Sequence, residues 1–88
     1  MEQLLKEIGI NEKGTYSPDG SYVVDIKDYN AYGKYFSLLE NSSIVEEAPD
    51  TTQITIHTTN ITYVSDTHQI ILQADFDEDL YKIIVKKL

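Results

Sequence analysis

The residues of this sequence best suited to chemistry form the acidic run DFDED, which begins at Asp75. Its three aspartates match the alternating ligands that open an EF-hand calcium loop. The match then ends, because Leu80 stands where that loop needs glycine and Lys86 where it needs a bidentate glutamate. The predicted flanks are strands rather than helices. We interpret the run as an acidic hairpin turn and predict no metal site there.

The two histidines, His57 and His68, are the other candidates for chemistry. If the strands form a meander, the pair could approach Asp66 or Asp75 and offer zinc a set of nitrogen and oxygen ligands, but no diagnostic spacing accompanies them. His57 is out of phase with Ile54 and Ile56, which predicts that it lies on a solvated face. A small enzyme or metal-binding protein built on the two histidines is our third hypothesis.

No motif for catalysis is present. Serine, aspartate and histidine all occur, but no glycine-framed serine elbow does, and the four glycines form no phosphate-binding loop. We therefore assign no catalytic residue and no cofactor, and we predict that the protein is not an enzyme.

The charge of the chain is strongly negative and unevenly distributed. Fifteen Asp and Glu residues face seven Lys and no Arg among 88 residues, and positions 28–79 contain ten acids and one lysine. Phosphate affinity comes from cations, so we predict no direct binding of nucleic acid. No long apolar run or signal peptide is evident, which predicts a cytoplasmic protein without a membrane partner.

The pattern of apolar residues and turn signals predicts a single α+β domain over residues 1–88. We expect a short helix at 2–8, a hairpin across Ser17–Gly20, a central helix and then an antiparallel β-meander. Pro49 must end a brief strand within 43–50. Within 52–64 the alternation of apolar and polar residues shifts by one position. This shift indicates a bulge or a tight turn near 58–60, and we favour a bent, bulged strand. Lysines on the last strand, 80–88, suggest a sheet edge.

The central helix, Asp28–Asn41, is the clearest element. Asp28 is a suitable N-cap, and aromatic and aliphatic residues then recur at helical spacing. We expect a core stripe of Tyr29, Tyr32, Phe36 and Leu39. Tyr35 is then the aromatic residue most available to a partner, because tyrosine is enriched in protein interfaces. Gly33 at mid-helix suggests close approach of a strand or partner.

In size, acidity and absence of a catalytic motif, the chain is similar to small phage-encoded inhibitors of host defence, anti-CRISPR proteins among them. This resemblance implies binding to the basic nucleic-acid channel of a larger protein in a bacterial or phage-infected cell. We predict an acidic protein-binding module of that kind. The alternative is a structural or assembly protein that forms a homo-oligomer, such as a homodimer, through an edge strand. The predicted partner-binding residues are Glu46, Glu47, Asp50, Asp75, Asp77, Glu78, Asp79 and Tyr35.

Overall fold

The computed structural model describes residues 1–88 and confirms the α+β fold. Two helices, α1 (Glu2–Ile8) and α2 (Tyr29–Asn41), accompany a seven-stranded antiparallel sheet. The strands are β1 (Thr15–Tyr16), β2 (Tyr22–Ile26), β3 (Glu46–Glu47), β4 (Gln53–Ile54), β5 (Thr58–Val64), β6 (His68–Asp75) and β7 (Leu80–Lys87). Their order is β1-β2-β7-β6-β5-β3, and β4 also pairs with β5. Neither helix is long and apolar enough to cross a membrane.

The core lies between the helices and one face of the sheet. Alternate residues of the strands point towards the helices, as the period of two requires. Eighteen buried hydrophobic residues form a single cluster that includes Leu5 of α1, Leu39 of α2, Val24 of β2, Leu72 of β6 and Ile83 of β7. The other face of the sheet is uncovered and only half-buried along Val23, Ile71 and Ile84, which are neighbours across the central strands.

The local signals for the two helices are confirmed. Gly9 ends α1 in the left-handed conformation, with φ 109°, and its amide donates to the carbonyl of Leu5. The carboxylate of Asp28 accepts from the amide of Ala31 at 2.8 Å and so caps the start of α2. Gly14 is needed for close packing, because a Cβ there would overlap the Val23 carbonyl.

The buried face of α2 is rotated from the expected one. Tyr32, Tyr35 and Leu39 are buried, whereas Tyr29 and Phe36 are exposed. The expectation that Tyr35 is open to a partner is wrong, since only 6% of it is accessible. A run of aromatics at 29, 32, 35 and 36 permits either face, and only packing against the sheet selects one. Close approach does not explain Gly33 within this chain, because a Cβ there would meet nothing within 4 Å.

Two predictions about the sheet are wrong. The last strand, β7, is not an edge but lies between β2 and β6. The segment 52–64 is not one bulged strand, because the chain reverses between β4 and β5. The hydroxyl of Thr55 accepts from the amides of His57 and Thr58, at 3.1 and 2.9 Å, and fixes this turn. Side-chain bonding to nearby amides of this kind competes with strand pairing.

Candidate functional site

One end of the sheet combines exposed aromatic rings with exposed carboxylates. We call it the acidic aromatic end and define it as Tyr29, Phe76, Asp77, Glu78 and Asp79. Tyr29 is the first residue of α2, and the other four residues form the turn between β6 and β7. The two elements meet because β2, which leads into α2, pairs with β7, which follows the turn.

Four aromatic rings pack together at this end. The centroid of Tyr29 lies 6.1 Å from Tyr32, 6.2 Å from Tyr81 and 6.3 Å from Phe76. Tyr32 and Tyr81 are buried, but Tyr29 is 59% exposed and Phe76 37% exposed. Edge-to-face and tilted pairs at such distances are favourable arrangements of aromatic rings. The outer two rings are therefore held by the inner two while part of their surface meets water.

The acidic turn is structured by its own side chains. Asp75, the last residue of β6, accepts from the amide of Glu78 at 3.1 Å. Asp79 has φ 54°, a left-handed conformation that aspartate tolerates better than most residues. The carboxylates of Asp77, Glu78 and Asp79 are left at the surface.

The neighbouring β4–β5 turn supports the acidic aromatic end. The amide of Phe76 donates to the carbonyl of His57 at 2.9 Å. His57 Nδ1 lies 2.7 Å from Asp77 Oδ2, and both side chains are about 60% exposed. One backbone bond and one side-chain contact thus join the two turns.

The pKa of Tyr81, whose ring packs behind the acidic turn, is raised by its surroundings. Burial of the ring, followed by the nearby Asp79 carboxylate, raises the pKa of Tyr81 to about 12. The Tyr81 hydroxyl is therefore harder to ionise than that of an exposed tyrosine.

The structure divides the predicted acidic residues between two places. Asp75, Asp77, Glu78 and Asp79 lie together in or beside the β6–β7 turn. Glu46, Glu47 and Asp50, which we call the β3-edge acids, lie on β3 and on the 3-10 helix Pro49–Thr51 that follows it. Glu46 pairs with Val64 and Asp75 with Thr58, at the two ends of β5. Six residues of extended strand separate these positions by about 20 Å.

One of the β3-edge acids, Glu47, lies beside a second carboxylate, that of Glu40. Glu47 points to the helix side of the sheet, towards Glu40 of α2, whose Oε2 accepts from the Tyr63 hydroxyl at 2.7 Å. A hydrogen bond with Glu40 is the largest of the causes that raise the pKa of Glu47, and repulsion between the two carboxylates adds to it. Burial and the same glutamates raise the pKa of Tyr63.

Tyr35 is buried and lies in neither of the two acidic regions. Burial and the adjacent Glu12 carboxylate raise its pKa to about 12. Tyr35 is the only predicted partner-binding residue that is buried.

The two histidines do not meet. His57 precedes the start of β5, whereas His68 begins β6 and pairs with Lys87. The length of β6 separates them by about 24 Å. No group of three or more His, Asp and Glu side chains is arranged to hold a metal ion. The three aspartates of the acidic run likewise diverge, since Asp75 caps the turn, Asp77 contacts His57 and Asp79 lies near Tyr81.

The sequence analysis favoured a core position for Tyr29 and did not single out Phe76. Phe76 continues the inward alternation of β6, but the strand ends at Asp75. Its position between two aspartates was the available signal, because acids on both sides indicate a solvated turn. Tyr29 directly follows the N-cap Asp28 and lies in the first turn of α2, where most of its ring is exposed.

Comparisons of this chain with family models, with curated proteins and with solved structures gave no match.

Proposed function

We propose that this protein is a small acidic binding module that occupies a basic, nucleic-acid-binding surface of a larger protein. One observation carries the proposal: the acidic aromatic end places the carboxylates of Asp77, Glu78 and Asp79 beside the exposed rings of Tyr29 and Phe76. Aromatic residues are enriched at the centres of protein interfaces, and charges around them steer and orient the partner.

The charge of the chain supports a basic partner. The net charge of −8 repels nucleic acid and attracts a cationic protein surface. Attraction of this kind accelerates association at low salt and weakens as salt rises. A module that covers such a surface excludes the phosphate backbone that would otherwise bind there.

The compositional similarity to phage-encoded inhibitors of host defence supports this mode of action. On that basis the proposed setting is the cytoplasm of a bacterial or phage-infected cell. The module itself performs no reaction, and the acidic aromatic end needs no cofactor to bind a partner.

The alternative, a homo-oligomer assembled through an edge strand, has less support from the fold. The strands at the sheet edges, β1, β3 and β4, are two residues long and offer few backbone groups for pairing. Light scattering distinguishes the alternatives, since edge pairing requires a dimer or larger species at working concentration.

Capture followed by displacement tests the proposal. Tagged wild-type protein is incubated with bacterial lysate, alongside Asp77→Asn/Glu78→Gln/Asp79→Asn. A matched variant, Glu46→Gln/Asp50→Asn/Asp66→Asn, removes the same charge from exposed residues elsewhere. We expect wild type and the matched variant to retain a basic protein that the first variant loses. Added wild-type protein then displaces nucleic acid from that partner.

Retention of the same proteins by all three forms would contradict the proposed surface. A partner that keeps its nucleic acid at saturating concentrations of the module would contradict the blocking role.

A further inference from the structure

Tyr29 and Phe76 are the outer rings of the acidic aromatic end. Tyr29 and Phe76 contact each other at an interplanar angle of 68°. Both rings also pack against the buried rings of Tyr32 and Tyr81. Their positions are set by packing within the fold, so binding requires little ordering of these side chains. The face of an aromatic ring has negative electrostatic potential and attracts a positive group within about 6 Å of its centroid.

The carboxylates beside the rings are not neutralised by the chain's own lysines. The salt bridges of the structure are Lys6 with Glu2 and His57 with Asp77. The side chains of Glu78 and Asp79 therefore have no cationic partner. A cation that contacts the rings would also lie near these two carboxylates, which follow Phe76 closely in the turn.

The combination of rings and carboxylates fits a guanidinium group better than an ammonium group. A guanidinium is planar, stacks on aromatic faces, is more weakly hydrated and donates two parallel hydrogen bonds to one carboxylate. An ammonium keeps its hydration shell and acts as a point charge. This chain has no arginine, so no internal guanidinium competes for the surface. Neither Tyr29 nor Phe76 lines a cavity, which indicates contact on the ring surface.

We propose that Tyr29 and Phe76 bind an arginine side chain of the partner and that the acidic aromatic end thereby prefers arginine-rich to lysine-rich surfaces. This inference rests on the proposed function and specifies the chemistry of its partner. Glu78 and Asp79 accept hydrogen bonds from the guanidinium while its plane lies against the rings.

Binding of two simple probes tests the preference. The probes are capped peptides of nine arginines and of nine lysines, which have the same charge, and dissociation constants are measured by calorimetry at low salt. We expect the arginine peptide to bind more tightly. The double variant Tyr29→Leu/Phe76→Leu should lower arginine affinity about two- to fivefold per ring and bring the two peptides close together. Tyr16→Leu, at an equally exposed tyrosine on β1, should leave the preference unchanged.

A second measurement uses the wild-type protein alone. Nuclear Overhauser contacts should connect arginine side-chain protons of the bound peptide to the rings of Tyr29 and Phe76. Their absence in the saturated complex would overturn the inference, whether or not the leucine variants fold.

The outcomes separate this inference from the proposed function. If the leucine variant keeps the arginine preference while Asp77→Asn/Glu78→Gln/Asp79→Asn weakens binding of both peptides, the inference fails and the acidic docking surface stands. If neither variant differs from wild type, the acidic aromatic end is not the docking surface and both fail.

Discussion

The acidic aromatic end and the β3-edge acids are built from similar parts with different results. Each places a carboxylate near a buried tyrosine, Asp79 near Tyr81 in one and Glu40, the neighbour of Glu47, against Tyr63 in the other. At the acidic aromatic end two more rings extend outward beyond the buried one, and Asp77 contacts a histidine. At the β3 edge the tyrosine is wholly internal and Glu47 faces another glutamate.

Acidity alone therefore does not identify a binding surface in this protein. Of these two regions, only the acidic aromatic end has exposed aromatic rings beside its carboxylates, and aromatic residues are enriched at the centres of interfaces. The separation of about 20 Å between Glu46 and Asp75 exceeds the screening length of about 8 Å at physiological salt, so Glu46 hardly influences a partner bound at the acidic aromatic end.

The two regions should differ most in how much the free energy of unfolding falls when a tyrosine ring is removed from each. Tyr63→Ala should destabilise the protein by about 3–5 kcal/mol, because it removes a fully buried ring. Tyr29→Ala should cost less than about 1 kcal/mol, because most of that ring is exposed. Urea denaturation at pH 7 measures both, with Tyr63→Phe as the control that keeps the ring. Equal losses for the two alanine variants would mean that Tyr29 belongs to the core.

The two regions should also differ in the sign of a side-chain coupling energy, that of His57 with Asp77 in one and of Glu40 with Glu47 in the other. In an acidic buffer that protonates the imidazole, a double-mutant cycle with His57→Ala and Asp77→Ala should give an attractive coupling of about 0.2–1 kcal/mol at low ionic strength, since both side chains are mostly exposed. The coupling should shrink in 1 M salt. A cycle with Glu40→Gln and Glu47→Gln should give a coupling of the opposite sign. Couplings of the same sign would remove the proposed distinction between the two regions.

The smallest effect is the pH dependence due to Glu47. Because the folded state raises its pKa above 4.5, its contribution to stability is fully present below pH 4.5 and is lost as the pH rises through the raised value. Glu47→Gln should therefore be more stable than wild type at pH 7, by at most about 0.5 kcal/mol after solvent screening, with a smaller gain at pH 4. Unfolding is followed at both pH values.

The control for this measurement is Glu46→Gln. It removes the same charge from the adjacent residue, whose side chain points to the other face of the sheet. An equal gain from Glu46→Gln would assign the effect to net charge and not to the pair of glutamates.

Local signals predicted most of the elements because their causes are local. The Asp28 cap, the Gly9 stop and the Ser17–Gly20 turn each depend on a few neighbouring residues, and the structure contains all three. The position of β7 was beyond local reasoning. Its lysines are typical of an edge, yet pairing with β2, far away in the sequence, makes β7 central.

The candidate site was half predictable for the same reason. The acidic turn can be read from the sequence, but the exposure of Tyr29 and the burial of Tyr35 depend on the rotation of α2 against the sheet. Four aromatics within eight helical positions allow two rotations of similar hydrophobicity. The meeting of Tyr29 with Phe76 joins residues 47 positions apart and requires the tertiary fold.

The affinity of the captured basic partner for two matched variants decides whether the acidic aromatic end is the binding surface. Asp77→Asn/Glu78→Gln/Asp79→Asn should lower the affinity about tenfold or more and flatten its salt dependence, because three charges leave the contact surface. Glu46→Gln/Asp50→Asn/Asp66→Asn should stay within about twofold of wild type, since its three charges lie outside the acidic aromatic end. Equal losses in the two variants would contradict the claim and leave net charge as the explanation.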